Sequence, residues 1–264
     1  MNLKIVSWNC HYGLTDEKVD KLLEKNDFVD ADIYAIQECE EKNISASIES
    51  KLGSIQDNWY GDHKEYEWYH NGDLGIALFS NKYQIERVNK NKEPYRYVIP
   101  YKVTDKKTSE SFNLIHIWTK TKDREQNYKE DYFMFVLNAI ADAEYSKYLF
   151  PNDGKVIWAG DFNWSAQLKS NFAKSKFSEF ELKIKNKLES AYHMHTGIKL
   201  GEESVRTFFD KKSNSFFNDY IFYGTNGFNI NNAVIGSRDG WNLSECRKEF
   251  LSDHCPIMAE LSLK

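Results

Sequence analysis

Eight polar side chains stand within or beside apolar runs of this 264-residue sequence. Asn9 closes LKIVSWN, Glu38 closes IYAIQE, and His116 interrupts FNLIHIW. Asp161 and Asn163 follow KVIWAG, Asp219 precedes YIFY, and Asp253 and His254 precede PIMAELSL. Side chains at i and i+2 of an extended chain point the same way, so Asp161 and Asn163 would share one side of a strand end. Singly, each residue has a plain structural explanation. A strand-end Asp or Asn makes turns and helix caps, and a lone strand histidine is commonly a satisfied core group. Together they supply the carboxylates, amides and imidazoles that oxygen-liganded Mg²⁺ and phosphate chemistry require.

The elements that would position these groups are short runs rich in β-branched and aromatic residues. They lie at 3–9, 33–38, 74–80, 112–118, 155–161, 219–223 and 256–263, and they predict strands. Two helical patterns lie between them: TDEKVDKLLEKN, with an acidic first turn and Val19, Leu22 and Leu23 on one face, and YFMFVLNAIADAEYSKYL over 132–149. Strands and helices alternate imperfectly, prolines number four, and there is no Ser/Gly-rich linker, repeat or low-complexity tract. This predicts one α/β domain over residues 1–264.

Composition narrows the function. A content of 41% hydrophobic and 15% aromatic residues supports one large core. No run approaches the roughly 20 apolar residues of a membrane span, and the opening MNLKIVSWNC lacks a signal-peptide pattern, so a cytoplasmic protein without a membrane partner is expected. Cys10, Cys39, Cys246 and Cys255 form no CxxC pair and predict reduced thiols, with neither a zinc cluster nor a disulfide framework. Cys10, Cys39 and Cys255 each follow a candidate site residue and, if extended, pack on the opposite face. The two histidines of AYHMHTG lack a third zinc ligand nearby. A net charge of −5 and a pI near 5.9 argue against an extended basic surface for nucleic acid. They do not exclude a nuclease, because acidic residues that hold a cation put negative charge at the site itself; lysines in 82–92 and 102–107 could add a local basic patch, although a solvated surface is their plainer reading.

In order along residues 7–257, SWN, IQE, a strand histidine, GDFN, NDYIF and SDHCPI resemble the endonuclease/exonuclease/phosphatase superfamily. That superfamily includes deoxyribonuclease I, exonuclease III, apurinic-site endonucleases, sphingomyelinases, inositol-polyphosphate 5-phosphatases and deadenylases. The resemblance implies an α/β four-layer sandwich: two packed mixed β-sheets flanked by helices, with a cleft where the strand-end residues converge. It implies in-line attack of water on phosphorus with Mg²⁺ (or Mn²⁺) as cofactor. By position Glu38 is the principal metal ligand, Asn9 contacts metal or phosphate, and Asp253 adds a further metal contact. Asp161 orients or deprotonates the water, Asn163 donates hydrogen bonds, and His254 pairs with Asp219 as general base or phosphate stabiliser.

His116 resembles the histidine of deoxyribonuclease I and the phosphatase branches, with Asp73 as its candidate carboxylate partner. IQECEE stands where apurinic-site enzymes usually carry QETK, which lowers the abasic-site reading. His11 occupies the place, two past the asparagine, where relatives often carry a charged residue, and it could meet the scissile phosphate. In the loop leading to SDHC, Trp241, Arg247 and Lys248 are expected near the cleft mouth, where they could contact a bound strand. The aromatic-rich segment 58–72 reads better as sheet cover than as a base-stacking surface.

The activity implied is a metal-dependent phosphodiesterase acting on nucleic acid, DNA foremost. The alternative is a phosphatase or phosphodiesterase for a small phosphorylated molecule, which the acidic pI favours. A binding protein that has lost catalysis is disfavoured by the intact acidic and histidine set. No protein partner is implied.

Overall fold

Strands that are apolar on both faces need cover on both faces, and the central strands here read that way. Both LGIALF and VIWAGD are buried at every position. The computed structural model describes residues 1–56, 58–61, 74–88, 95, 97–119, 134–209, 215–238 and 251–264. In chain order it contains β1 (Asn2–Asn9), α1 (Asp16–Leu23), β2 (Ile33–Glu40), α2 (Ala46–Leu52), β3 (Trp59–Gly61), β4 (Leu74–Phe79), β5 (Tyr83–Arg87), β6 (Val98–Asp105) and β7 (Ser111–Trp118). Then follow α3 (Met134–Ala141), α4 (Ala143–Leu149), β8 (Val156–Asp161), α5 (Asn171–Ile184), β9 (Leu188–Ser190), α6 (Ala191–Thr196), β10 (Phe208–Phe209), β11 (Ser215–Phe216), β12 (Asp219–Gly224), β13 (Phe228–Ile235) and β14 (Ile257–Leu263).

Two six-stranded sheets carry the architecture, in the orders β13-β14-β1-β2-β4-β3 and β5-β6-β7-β8-β12-β9. Each is mixed in the same way: a parallel central pair, β1 with β2 and β7 with β8, is flanked by antiparallel neighbours. Leu3, Ile5, Ile33, Ala35 and Ile76 of the first sheet pack against Tyr101, Leu114, Trp118, Ile157 and Ala159 of the second. Val19 and Leu22 of α1 and Ile48 of α2 cover the outer face of the first sheet, with Val6, Trp8 and Ile36. Val136 of α3, Leu149 of α4 and Phe180 of α5 cover the second, with Trp158 and Phe222. Each such fully buried large side chain contributes about 1.5–3 kcal/mol. The layers are helix, sheet, sheet, helix, as the family resemblance implies. Among the described residues, no helix is long and apolar enough to cross a membrane.

All seven predicted strands are present. The helical pattern over 132–149 is helical in its described part, as two helices broken at Asp142, whose carboxylate caps α4 by accepting from Glu144 N and Tyr145 N. A short carboxylate competes with helix continuation and favours a cap. The unpredicted β13, FNINNAVI, is rich in asparagine and stands at a sheet edge, where one side of the strand stays wet.

Candidate active site

Asn9 ends β1 and lies in register with Gln37 on the parallel strand β2. Strict alternation would turn Glu38 toward the outer face with Ile36, which packs under α1 and α2. A bulge prevents this: the β2–β4 register shifts between Gln37 and Cys39, and Glu38 takes a left-handed φ of 57°. Its carboxylate thereby reaches the inner side, where Asn9 Nδ2 donates to Glu38 Oε1 at 3.1 Å. The same nitrogen donates to Asp161 Oδ2 at 3.0 Å, so one amide ties the two sheets together.

Asp161 reaches this point because Gly160 lets β8 run close to β7. A Cβ at Gly160 would lie 1.8 Å from the Ile117 carbonyl oxygen, and its φ of 150° is one side chains rarely adopt. The chain then turns at Asn163 (φ 47°), so the predicted sharing of one side is achieved by a turn rather than by extended geometry. Asn163 N donates to Asp161 Oδ1 at 2.7 Å, and Asn163 Nδ2 to Asp161 Oδ2 at 2.8 Å and to Thr119 O at 2.8 Å.

Asp219 lies directly opposite Asp161 across the β8–β12 ladder, an arrangement that repels if both carboxylates are charged. His254 is set against them: Nδ1 meets Asp219 Oδ2 at 2.9 Å, while Nε2 lies 3.8 Å from Asp161 Oδ2 and 4.0 Å from Asp253 Oδ1. All three of Asp161, Asp219 and His254 are buried. Burial pushes Asp161 up to about 8, with Asp219 adding to the rise and His254 opposing it. Burial alone would lower His254, but Asp219 and Asp161 overcome it and hold the imidazole well above its usual 6.5. Asp253 sits 3.0 Å from His11 Nδ1; burial would raise its carboxyl, and His11 and His254 instead hold it below the usual range.

The segment after β1 is held as tightly. His11, Tyr12 and Gly13 all have positive φ, at 50°, 55° and 107°. Lys18 Nζ donates to the carbonyls of Cys10, His11 and Gly13. The turn's own N–H groups aim at the site: His11 N donates to Asn9 Oδ1 (3.0 Å), Tyr12 N to Glu38 Oε2 (3.3 Å) and Gly13 N to Glu38 O (2.8 Å).

The structure does not bring His116 to this cluster. It lies opposite Ala159, one inward-facing position before the Trp118–Asp161 pair, and its Nε2 is 2.7 Å from Gln37 Nε2. Gln37 also bonds Ser7 Oγ and Ala35 O. Burial pushes the His116 imidazole down to about 3, so the ring stays neutral in the fold. An unfolded histidine takes its proton near pH 6.5, so this burial contributes stability above that pH, lost as pH falls from about 6.5 toward 3. A His116→Gln variant is expected to lose less stability than wild type between pH 7 and pH 4, by up to about 1.4 kcal/mol per pH unit in urea titrations. Equal slopes for the two proteins would refute this account of His116.

Sequence reading missed Lys18, Gln37 and Thr119, because their contacts are made by folding. It also passed over Thr207, whose Oγ1 accepts from Asn218 N (2.9 Å) and Asp219 N (3.1 Å), and Ser252, whose hydroxyl donates to Asn9 O (2.7 Å) and accepts from His254 N (3.0 Å). The SDHC spacing was the one available signal for Ser252. Cys10, Cys39 and Cys255 are free and buried under α1 and α2, as expected. In AYHMHTG, His193 is buried between Ser190 and Glu203 while His195 is exposed, so the pair shares no site. Asp73, Trp241, Arg247, Lys248, Cys246, residues 62–72 and the lysines of 89–92 lie outside the described residues.

Carboxylates of Glu38, Asp161, Asp219 and Asp253 thus gather at one end of the sheets. Asp219 Oδ1 is buried without a hydrogen-bond partner among the described residues. Asp161, Asp219 and His254 each bring a ligand atom within 4.8 Å of the others. This oxygen-rich, negatively biased donor set fits a hard divalent cation.

No family model and no curated protein matches the chain. Solved structures do. The human Nocturnin catalytic domain with bound sulfate is 17% identical, with TM-score 0.58, over 100% of this chain and 94% of that one. An endonuclease/exonuclease/phosphatase from Bacteroides vulgatus is 15% identical, with TM-score 0.58, over 100% of both chains. The endonuclease domain of TRAS1, a telomere-specific non-LTR retrotransposon, is 11% identical, with TM-score 0.59, over 100% of this chain and 99% of that one. Two mixed sheets with a parallel pair at each centre, closed on both sides by helices and matched end to end by these structures, give this chain the endonuclease/exonuclease/phosphatase fold.

Proposed function

We propose that the protein is a divalent-metal-dependent phosphoric-ester hydrolase of the endonuclease/exonuclease/phosphatase superfamily, cleaving phosphodiester bonds of nucleic acid, DNA foremost, by in-line attack of water. The observation that carries this is the convergence of Asn9, Glu38, Asp161, Asn163, Asp219, Asp253 and His254, from separate segments, on one end of the two sheets. A sulfate-bound structure and a retrotransposon endonuclease on the same fold support the anion and nucleic-acid parts of the reading.

Glu38 and Asn9, with Asp253, are the groups that would hold Mg²⁺ or Mn²⁺. Bound there, the cation would neutralise phosphoryl oxygens and acidify water. Asp161, fixed by Asn9 and Asn163, is placed to aim the attacking water and accept its proton. His254 is held as an imidazolium by Asp219, which suits it to stabilise charge on the phosphate rather than to remove a proton. His11, locked to Asp253, stands beside the candidate metal ligands. His116 is assigned a supporting role behind the site, through Gln37.

The test is nicking of supercoiled plasmid with Mg²⁺ or Mn²⁺, with EDTA and a folded Glu38→Gln protein as controls. Metal-dependent cleavage lost in both controls supports the reading. A folded, metal-binding wild type that leaves DNA and RNA intact but releases phosphate from inositol phosphates, nucleotides or lipid headgroups would replace it with the small-substrate alternative, which the pI near 5.9 favours.

A further inference from the structure

Lys18 lies in the first turn of α1, where the hydroxyl of the capping residue Thr15 accepts from Lys18 N. This is the position at which a glutamate or glutamine closes a capping box, and the helix dipole disfavours a cation there. The reason for a lysine lies outside the helix. Its half-buried side chain runs back to the turn after β1, where Nζ donates to the carbonyls of Cys10 (2.5 Å), His11 (2.7 Å) and Gly13 (2.8 Å). An ammonium has three N–H donors, and all of them are used. Carbonyl oxygens aimed at one point repel unless a cation sits among them, and the left-handed backbone of His11 and Tyr12 persists only where surrounding contacts over-determine it. Two of the three carbonyls belong to peptide units whose N–H groups point the other way, onto the candidate site. The Cys10–His11 unit accepts from Lys18 and donates from His11 N to Asn9 Oδ1 (3.0 Å). The His11–Tyr12 unit accepts from Lys18 and donates from Tyr12 N to Glu38 Oε2 (3.3 Å).

We infer that Lys18 is a positioning residue for Asn9 and Glu38, a tethered cation that locks the two peptide units holding them. The inference rests on the reading of Asn9 and Glu38 as groups that hold Mg²⁺ or Mn²⁺, and deepens it by naming what aims them. Each peptide unit completes a hydrogen-bonded chain from the ammonium to a site side chain, and the members of such a chain polarise one another in the favourable sense. Glu38 Oε1 accepts from Asn9 Nδ2 and Oε2 from Tyr12 N, so both carboxylate oxygens are oriented while each keeps a lone pair for a cation. Lys18 acts through the main chain, with no need to approach the cation itself.

Calorimetric titration with Mn²⁺, and amide hydrogen exchange of the metal-free protein, test this on wild type, Lys18→Ala and Lys18→Met, the last of which keeps an aliphatic stem. Both variants are expected to bind Mn²⁺ about 10- to 100-fold more weakly, the usual cost of losing an outer partner of a metal ligand. Both should also exchange the His11 and Tyr12 amides faster before any metal is added. In Lys18→Ala, n-propylammonium supplies the missing atoms and should restore both readouts, whereas tetramethylammonium, which carries the charge without an N–H, should restore neither. General destabilisation would not distinguish the two ions. If only Lys18→Met folds, its affinity and amide exchange decide. Wild-type Mn²⁺ affinity in a folded variant, unchanged exchange at His11 and Tyr12, or a loss in Lys18→Ala that n-propylammonium leaves unrepaired would each overturn the role of Lys18 while leaving the metal reading in place. A folded wild type that binds no Mn²⁺ overturns both.

Discussion

Replacing His254 by asparagine is expected to reduce kcat by roughly 10²- to 10⁴-fold, the range for loss of one positioned acid/base group. The main chain at this position is held independently, by Trp8 Nε1 on the His254 carbonyl (3.1 Å) and by His254 N on Ser252 Oγ (3.0 Å). The variant is therefore expected to fold, whereas alanine would leave Asp161 and Asp219 facing each other with no polar group between. The companion variant, Asp219→Asn, separates the two roles open to the imidazole. Asp219 is a cause of the rise in the His254 pKa, so removing its charge lowers that pKa. If the imidazolium stabilises phosphate, activity falls as pH rises through this pKa, and Asp219→Asn moves the alkaline limb of the kcat profile to lower pH. A general base would instead govern the acid limb, which the variant would move to lower pH; that outcome would reverse the assignment of His254. Stability carries the same sign. With its folded pKa above the unfolded value near 6.5, His254 contributes stability that is full below pH 6.5 and lost as pH rises through the folded pKa.

Glu38→Gln is expected to weaken binding of Mg²⁺ or Mn²⁺ in a calorimetric titration and to reduce kcat/KM by roughly 10³-fold, because Lewis-acid stabilisation is worth several kcal/mol and each 1.36 kcal/mol is tenfold. The substitution keeps shape and removes charge. The bulge should survive it, since Gly13 N bonds the Glu38 main-chain oxygen at 2.8 Å rather than the carboxylate. The Asn9 side-chain donor Nδ2 and the Tyr12 backbone N–H both face the carboxylate, so a glutamine must set its own NH₂ against one of them. A small loss of thermal stability should accompany the loss of metal. Wild-type metal affinity in a folded Glu38→Gln protein would remove Glu38 from the ligand set and return attention to the buried Asp161–Asp219–His254 group.

Much of this molecule is legible one residue at a time. Runs of β-branched and aromatic residues announce all seven predicted strands, and the polar residues that close or interrupt them announce a site, because a buried strand end tolerates a carboxylate only where something compensates it. The meeting of Asp219 with His254 was implied by the family resemblance, and the structure places them 2.9 Å apart. Other features were decided by contacts between residues far apart in the chain. Alternation alone would have turned Glu38 away from the site; only pairing with β4 creates the bulge that brings it in. His116, a candidate catalytic residue by its resemblance to the deoxyribonuclease I histidine, lies against Gln37 once the two sheets close over it. The break at Asp142 depends on a cap competing with an otherwise continuous helical pattern. The turn at His11 to Gly13 depends on Lys18 finding three carbonyls that no periodicity reveals. Side-chain type and strand spacing are local and survive in the sequence, whereas register, bulges and long-range hydrogen bonds exist only once distant segments are held together, and they decide which candidate groups face one another.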